Sequence, residues 1–402
     1  MLIVQKFGGS SVADAAKVRR VAGIIADTYC EGNDVIVVLS AQGDTTDDLL
    51  EKAAEINDNP SKRELDVLLS TGEQISIALM AMALEKMGLP VVSLTGWQIG
   101  MQTDTSYGSA RIQRVSTERL RQELDKRRIV LVAGFQGINK YDDVTTLGRG
   151  GSDTTAVAIA AALHADSCQI FTDVEGVYTA DPRKVPGAKK LDEITYDEML
   201  ELASMGAQVL HNRSVEMAKR YNVNLEVLSS YVRKPGTKVK EVVKQVEQMQ
   251  ISGIAKDNNV ARLAVVGLPD TPGVAFKVFR VLANAKINVD VILQSYGSDD
   301  TQGISFTVAK DDMEAAKTAL EASREAIGFE RVDVDEKVAK VSIVGAGMIR
   351  SSGIAALMFE ALYDAKINIE MISTSEIKVS VLIDENYADM AVQAIHAKFF
   401  GV

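Results

Sequence analysis

Residues 273–288 read GVAFKVFRVLANAKIN and residues 353–368 read GIAALMFEALYDAKIN, with Gly, Ala, Phe, Leu and the closing AKIN in one register. A duplication of this kind obliges the chain to build one supersecondary unit twice. Each copy follows an apolar run ending in Val-Gly (Val266-Gly267, Val344-Gly345) and precedes two further strand-like runs and a second helical stretch. The unit is therefore βαββαβ. The second copy stops at Phe399-Phe400-Gly401-Val402, before its sixth element, while Ile251–Ala255 is an orphan strand just ahead of the first copy. The orphan is expected to supply the missing strand, so that the first repeat (260–337) is inserted within the second (250–259 and 338–402).

The preceding 240 residues carry another pattern, in which short apolar runs alternate with longer amphipathic stretches, as crossover helices joining parallel strands require. Strands are expected at Leu2–Phe7, Val35–Ser40, Val91–Leu94, Ile129–Gly134, Ser167–Thr172 and Leu225–Ser229, several apolar throughout as doubly covered strands are. One long helix is expected around Leu65–Met87, with Glu73 and Gln74 interrupting its apolar surface and available to face a ligand. At Arg233-Lys234-Pro235-Gly236 the pattern breaks into a charged stretch, which places a domain boundary near residue 240. The fold class is α/β: a mainly parallel sheet flanked by helices over 1–240, followed by the two βαββαβ domains.

The 402-residue length fits two or three domains. A net charge of −11 excludes sequence-independent nucleic-acid binding, which rests on clustered Lys and Arg. Cys30 and Cys168 are far apart and fit buried thiols; His164, His211 and His396 are scattered singly, which fits structural roles better than a triad or metal cluster. No run is seen to approach the roughly 20 apolar residues of a membrane span. The expectation is a cytoplasmic protein with no membrane or nucleic-acid partner.

Three segments carry chemistry. Strand Leu2–Phe7 delivers Lys6 into Gly8-Gly9-Ser10-Ser11, with Ser11 the expected N-cap of a helix over Val12–Ala26. Converging backbone N–H groups, a helix N-terminus and a strand-end lysine make an anion cradle, although a tight turn beside a solvated lysine has the same residues. A second cradle, Leu147 to Thr155, contains Gly148, Arg149, Gly150, Gly151, Ser152 and Asp153 and opens a small-residue helix expected over Ala156–Leu163. Arg149 offers a planar fork to a carboxylate and Asp153 an acceptor to an ammonium group or hydrated metal; the alternative makes them a surface charge and a first-turn helix residue. The third is the strand-end stretch 171–183, where Thr172, Asp173, Tyr178, Asp181 and Arg183 can meet a nucleotide, or form a polar Asp-Pro turn. No P-loop and no protein-kinase signature is present.

Taken in order, KFGGSSV at 6–12, LSAQGDTTDDL at 39–49, STGEQ at 70–74, GRGGSDTTA at 148–156 and FTDVEGVYTADPR at 171–183 resemble the aspartokinases of the amino-acid kinase family, and residues 251–402 look like that family's paired ACT domains. The resemblance implies phosphoryl transfer from ATP, with Mg²⁺, to the side-chain carboxylate of L-aspartate. It implies roles for Lys6 between phosphates and acceptor, with Gly8, Gly9 and Ser10 around the ATP phosphates. Ser40, Thr46 and Ser152 would line the aspartate pocket, Glu73 would receive the ammonium, and Arg149 and Asp153 would grip a carboxylate and organise the pocket. Thr172, Asp173, Tyr178, Asp181 and Arg183 would form the nucleotide loop. Gln208 departs from the lysine of some relatives. Feedback by lysine, threonine or both would act at Asp270, Gln294, Asn288, Asn368, Ser375 and Glu376, where ACT domains meet side by side in at least a homodimer. Asn288 and Asn368 equally suit plain helix C-caps, and Met249 leaves room for a separately made regulatory subunit.

The chemistry agrees with the implied reaction, because an aspartate side chain, with a pKa of about 3.9, is already an anionic nucleophile at neutral pH. No general base is required, which accounts for the scarcity of histidine. Rival readings are a relative acting on glutamate, acetylglutamate, carbamate or a nucleoside monophosphate, and an amino-acid sensor without catalysis. The duplicated tail favours aspartate over the first group, and Lys6, Glu73, Arg149 and Asp153 together speak against the second.

Overall fold

A computed structural model describes residues 1–204, 209–243, 251–296 and 301–401. They form two compact units, one of Met1–Val177, Lys190–Ser204 and residues 209–243, the other of Tyr178–Lys189 and residues 251–401. Reading 1–240 as a single domain does not anticipate that Tyr178–Lys189 groups with the second unit.

The first unit is built on an eight-stranded sheet in the order Glu193–Thr195, Thr237–Lys240, Leu225–Ser229, Ser167–Thr172, Leu2–Phe7, Asp34–Leu39, Ile129–Ala133, Val91–Leu94. From Leu225–Ser229 to Val91–Leu94 every pairing is parallel. All six expected strands are present, with Asp34–Leu39 shifted by one residue and Ile129–Ala133 ending one residue earlier than expected. Helices Ala15–Cys30 and Lys62–Lys86 cover one face, where Val21, Ile25, Met80 and Leu84 meet Val35, Val37 and Leu39. A small-residue helix, Gly151–Leu163, also packs on the central strands. Parallel strands run apolar because helices exclude water from both faces.

The differences from expectation are local. Helix Ala15–Cys30 begins later than Val12, because Asp14 rather than Ser11 caps it: Asp14 Oδ1 accepts from the amides of Ala16 and Lys17, both at 2.9 Å. Gly9–Ser11 is instead a single 3₁₀ turn. Cys30, expected to be buried, is exposed at the helix end, whereas Cys168 is buried and its thiol pKa is pushed up by desolvation. Helix Lys62–Lys86, contrary to the reading that no such run exists, has an 18-residue window of mean hydropathy 1.5, long and apolar enough by composition to cross a membrane. Its inner face nonetheless buries Asp66, Ser70, Glu73 and Ser76. A second, four-stranded sheet of Met101–Thr103, Ile112–Val115, Gln136–Ile138 and Val144–Thr146 escaped prediction because three- and four-residue polar strands show no period.

The second unit holds two four-stranded antiparallel sheets with matching strand orders. One runs Ile292–Tyr296, Thr301–Val308, Ala261–Pro269, Arg331–Asp335; the other Met371–Thr374, Lys378–Asp384, Val338–Val344, Gly253–Asp257. Gly253–Asp257 pairs antiparallel with Val338–Val344, from Gly253 opposite Val344 to Asp257 opposite Lys340. It occupies the edge that Arg331–Asp335 fills in the first sheet, as the orphan-strand argument requires.

The repeated AKIN is a helix stop. Helices Val274–Asn284 and Ile354–Asp364 end at Ala285 and Ala365, with Lys286 (φ 60°) and Lys366 (φ 56°) in the left-handed region. Ile287 N donates to Leu282 O at 3.0 Å and Ile367 N to Leu362 O at 2.9 Å, the six-to-one bond of a Schellman motif. Asn288 and Asn368 therefore lie beyond the caps and are both exposed. A side chain at positive φ costs roughly 1–2 kcal/mol, partly offset by the unfolded-state entropy of glycine. Lys366→Gly is accordingly expected to stabilise the second unit by up to about 1 kcal/mol, read as a rise in its unfolding midpoint; a fall would refute the strain assigned to this position.

Candidate active site

Lys6, Ser40 and Thr172 lie at the carboxyl ends of three neighbouring parallel strands, Leu2–Phe7, Asp34–Leu39 and Ser167–Thr172. Lys6 Nζ lies 2.6 Å from Asp153 Oδ1, with the two side chains only 13% and 10% exposed. The helix carrying Asp153 starts at Gly151, not Ala156, because Gly150 takes φ 68° as its N-cap. Asp153 therefore sits in the first turn, where the helix dipole favours a carboxylate. Gly9 is held tightly, since a Cβ there would lie 2.6 Å from Ala41 O. Ser152 fits against Gly134, where a Cβ would come within 2.6 Å of its Oγ.

Segment 40–46 follows the neighbouring strand and is tied to the same cradle. Ser40 N donates to Phe7 O at 3.2 Å and Gly43 N to Gly9 O at 3.1 Å. Thr46 is half-buried in the first turn of helix Thr45–Ile56. Behind this segment, Glu73 is 3% exposed. Its Oε1 accepts from Ala41 N at 3.1 Å, while Oε2 is buried with no hydrogen-bond partner. Desolvation outweighs the backbone bonds and pushes its pKa up to about 7. A buried carboxylate oxygen left without a donor suits an incoming ammonium group. Arg149 is exposed in the Gly148–Gly150 turn.

At the next strand end, Thr172 Oγ1 accepts from Val174 N at 3.0 Å, and Asp173 is exposed. Two neighbours here were missed from sequence. Ser11 Oγ donates to Ser230 Oγ at 2.8 Å, and Ser230 Oγ donates to Thr172 O at 3.1 Å, joining the Gly8–Ser11 turn to the strand end. Tyr231 OH donates to Ser10 O at 3.2 Å. The signal available was a Ser229-Ser230-Tyr231 run at the close of strand Leu225–Ser229. Tyr178, Asp181 and Arg183 belong to the second unit. Arg183 clasps Asp181 through Nε and Nη2, both at 3.0 Å, which holds the Asp181 carboxyl below its usual pKa. Gln208 lies outside the described residues.

The profile of the amino acid kinase family matches residues 1–229, and that of the ACT domain matches residues 263–323 and 341–399. An aspartokinase of Mycolicibacterium smegmatis is 52% identical over 403 aligned residues, covering 99% of this chain and 96% of the relative. The chain belongs to the aspartokinases of the amino acid kinase family. Among solved structures, Escherichia coli aspartokinase III in complex with aspartate and ADP, in the R-state, is 27% identical with a TM-score of 0.84, covering all of both chains. The same enzyme in complex with lysine and aspartate, in the T-state, is 27% identical with a TM-score of 0.75 over 99% of each chain.

In this aspartokinase chain the ACT region joins three polar groups, of which sequence reasoning found two. Gln302, 6% exposed, donates through Nε2 to Asp270 Oδ1 and accepts through Oε1 from Gln294 Nε2. Gln302 was missed because only strand pairing sets it beside the 269–273 turn. Ser375 and Glu376 are exposed in the turn before Lys378–Asp384. The ACT helices Val274–Asn284 and Ile354–Asp364 begin after Gly273 and Gly353 without side-chain caps, and Val274 N donates instead to Thr271 O at 3.3 Å.

Proposed function

We propose that this chain transfers the γ-phosphoryl group of ATP to the β-carboxylate of L-aspartate, giving 4-phospho-L-aspartate, through Lys6, Glu73, Arg149 and Asp153. The observation that carries these assignments is the juxtaposition of opposite provisions at one sheet edge: a buried, unpartnered carboxylate oxygen on Glu73 and a lysine at Lys6 held by Asp153. Glu73 receives the substrate ammonium, and Arg149 grips its α-carboxylate. Ser40, Thr46 and Ser152 line the pocket. The β-carboxylate, already ionised, attacks without a general base. Lys6 and the amides of Gly8, Gly9 and Ser10 neutralise the charge on the transferred group. Thr172 and Asp173 receive the nucleotide.

Mg²⁺ fits the residues present. Among the described residues no three His, Cys, Asp or Glu side chains converge into a cage, while exposed Asp173 offers the single oxygen ligand that suits an ion carried mainly by ATP phosphates and water. Bound there, Mg²⁺ would screen phosphate charge. The test is trapping with hydroxylamine: hydroxamate should form from aspartate with ATP and not from glutamate. Hydroxamate from glutamate alone would move the chain to a neighbouring specificity.

Feedback by lysine, threonine or both is assigned to Asp270, Gln294, Asn288, Asn368, Ser375 and Glu376, with ACT domains pairing side by side in at least a homodimer. The complex of E. coli aspartokinase III with lysine supports an amino-acid effector. The chain is assigned to the cytoplasm. Met249, the possible start of a separate regulatory subunit, lies outside the described residues. An effector inhibits only by binding a low-activity arrangement more tightly than the active one. Wild-type activity should therefore fall with lysine, threonine or the pair at millimolar concentration, and truncation after Val239 or Asp270→Ala should relieve it. An unchanged rate with all three additions would reject the regulatory role.

A further inference from the structure

The segment that follows Gln208, Val209-Leu210-His211-Asn212-Arg213-Ser214, has no part in the site described so far. His211 caps helix Asn212–Tyr221, its Nδ1 accepting from Arg213 N at 3.4 Å. The helix thereby aims the Arg213 side chain at the second cradle. Half-buried, Arg213 donates through Nη1 to Leu147 O at 3.0 Å and through Nη2 to Ala110 O at 2.8 Å. Both acceptors are backbone carbonyls on separate segments. Leu147 is the last residue before the Gly148-Arg149-Gly150 turn, and Ala110 is bonded to the strand leading into it, its amide donating to Thr146 O at 2.9 Å. On the far side of the turn the ring of His211 closes over Gly150, where a Cβ would stand 2.2 Å from His211 Cγ. Gly148 and Gly150 both have positive φ, 77° and 68°. The turn carrying Arg149 is thus pinned at its entry by Arg213 and at its exit by His211, with left-handed backbone on either side of the functional arginine.

We propose that Arg213 is a positioning residue for aspartate: its guanidinium fixes the Leu147 and Ala110 carbonyls so that Arg149 is presented to the substrate carboxylate. The planar fork suits this role because Nη1 and Nη2, held apart in one plane, each meet a carbonyl from a different segment, a separation that the single nitrogen of an ammonium does not reproduce. The inference rests on the assignment of Arg149 above. The two hydrogen bonds of Arg213 both go to backbone carbonyls around this turn, so its removal acts through the turn and leaves the Gly8–Ser11 cradle unaltered.

The experiment is steady-state kinetics of the full chain by hydroxamate formation, with aspartate and ATP varied separately, for wild type, Arg213→Met and Arg213→Lys. A displaced carboxylate grip should raise the KM for aspartate about tenfold or more in Arg213→Met, with the KM for ATP held within about twofold. Arg213→Lys, which keeps the charge and serves if the methionine variant fails to fold, should fall between it and wild type. Folded variants whose two KM values rise together, or whose aspartate KM does not move, would overturn the positioning role. An inactive wild type would instead remove the aspartate kinase reading and this inference with it.

Discussion

Lys6→Met is expected to lower kcat by two to three orders of magnitude, the loss found when one preorganised electrostatic donor is removed, about 3–4 kcal/mol of barrier. The sequence alone suggests an exposed strand-end lysine that can be removed without structural cost. The structure says otherwise: the side chain is 13% exposed and ion-paired with a 10%-exposed Asp153. Removing Lys6 leaves a largely buried carboxylate unpaired, a change that destabilises by several kcal/mol in comparable pairs. A loss of activity in Lys6→Met therefore has two possible sources. The double variant Lys6→Met/Asp153→Asn eliminates the orphaned charge and separates them when read against Asp153→Asn alone, since Asp153 itself belongs to the proposed site. Its unfolding midpoint should recover towards wild type while its kcat stays well below that of Asp153→Asn. Recovery of activity together with stability would show that Lys6 only supports the fold.

Glu73→Gln should weaken aspartate binding and stabilise the protein at the same time. Loss of a charge-assisted bond to the substrate ammonium corresponds to about 1.5–3 kcal/mol, or roughly 10- to 100-fold in KM for aspartate. The stabilisation follows from the raised pKa, about 7 against 4.5 for an unperturbed glutamate. Between those values the folded state binds more protons than the unfolded state, so stability falls as pH rises from about 4.5 through 7 and the deficit persists above. That deficit amounts to roughly 3 kcal/mol. At about pH 8 the glutamine variant should melt higher than wild type, and the difference should shrink as pH is lowered towards 5. In the wild type, the KM for aspartate should fall as pH rises towards 7 and level above it, since the ammonium requires ionised Glu73. A pH-independent KM with an unchanged melting profile would contradict a neutral, buried Glu73 in the free enzyme.

The parts of the molecule legible in its sequence are those specified by local patterns. Apolar runs located the central parallel strands because both sheet faces are dry, and the AKIN duplication exposed the nested ACT domains because the same helix stop is needed twice. Glu73 was visible as a polar break in an apolar helix. Long-range partners were not visible. Ser11 and Asp14 are equally good capping residues on paper, and Asp14 holds the cap while Ser11 bonds to Ser230, 219 residues away. Helix Gly151–Leu163 begins early because Gly150 adopts a left-handed backbone and Gly151 and Ser152 pack on Phe135 and Gly134, which overrides the poor helix propensity of Gly-Ser-Asp. The Arg183–Asp181 clasp, the Gln302 bridge and the Arg213 grip likewise depend on neighbours that only the folded chain supplies.

Phosphorus NMR of the full chain with ATP, Mg²⁺ and L-aspartate reports the product itself. The γ-phosphoryl signal of ATP should decline as ADP and an acyl phosphate appear together, dependent on aspartate and lost in Lys6→Met. ADP and inorganic phosphate appearing at the same rate with or without aspartate, and no acyl phosphate, would contradict transfer to the β-carboxylate.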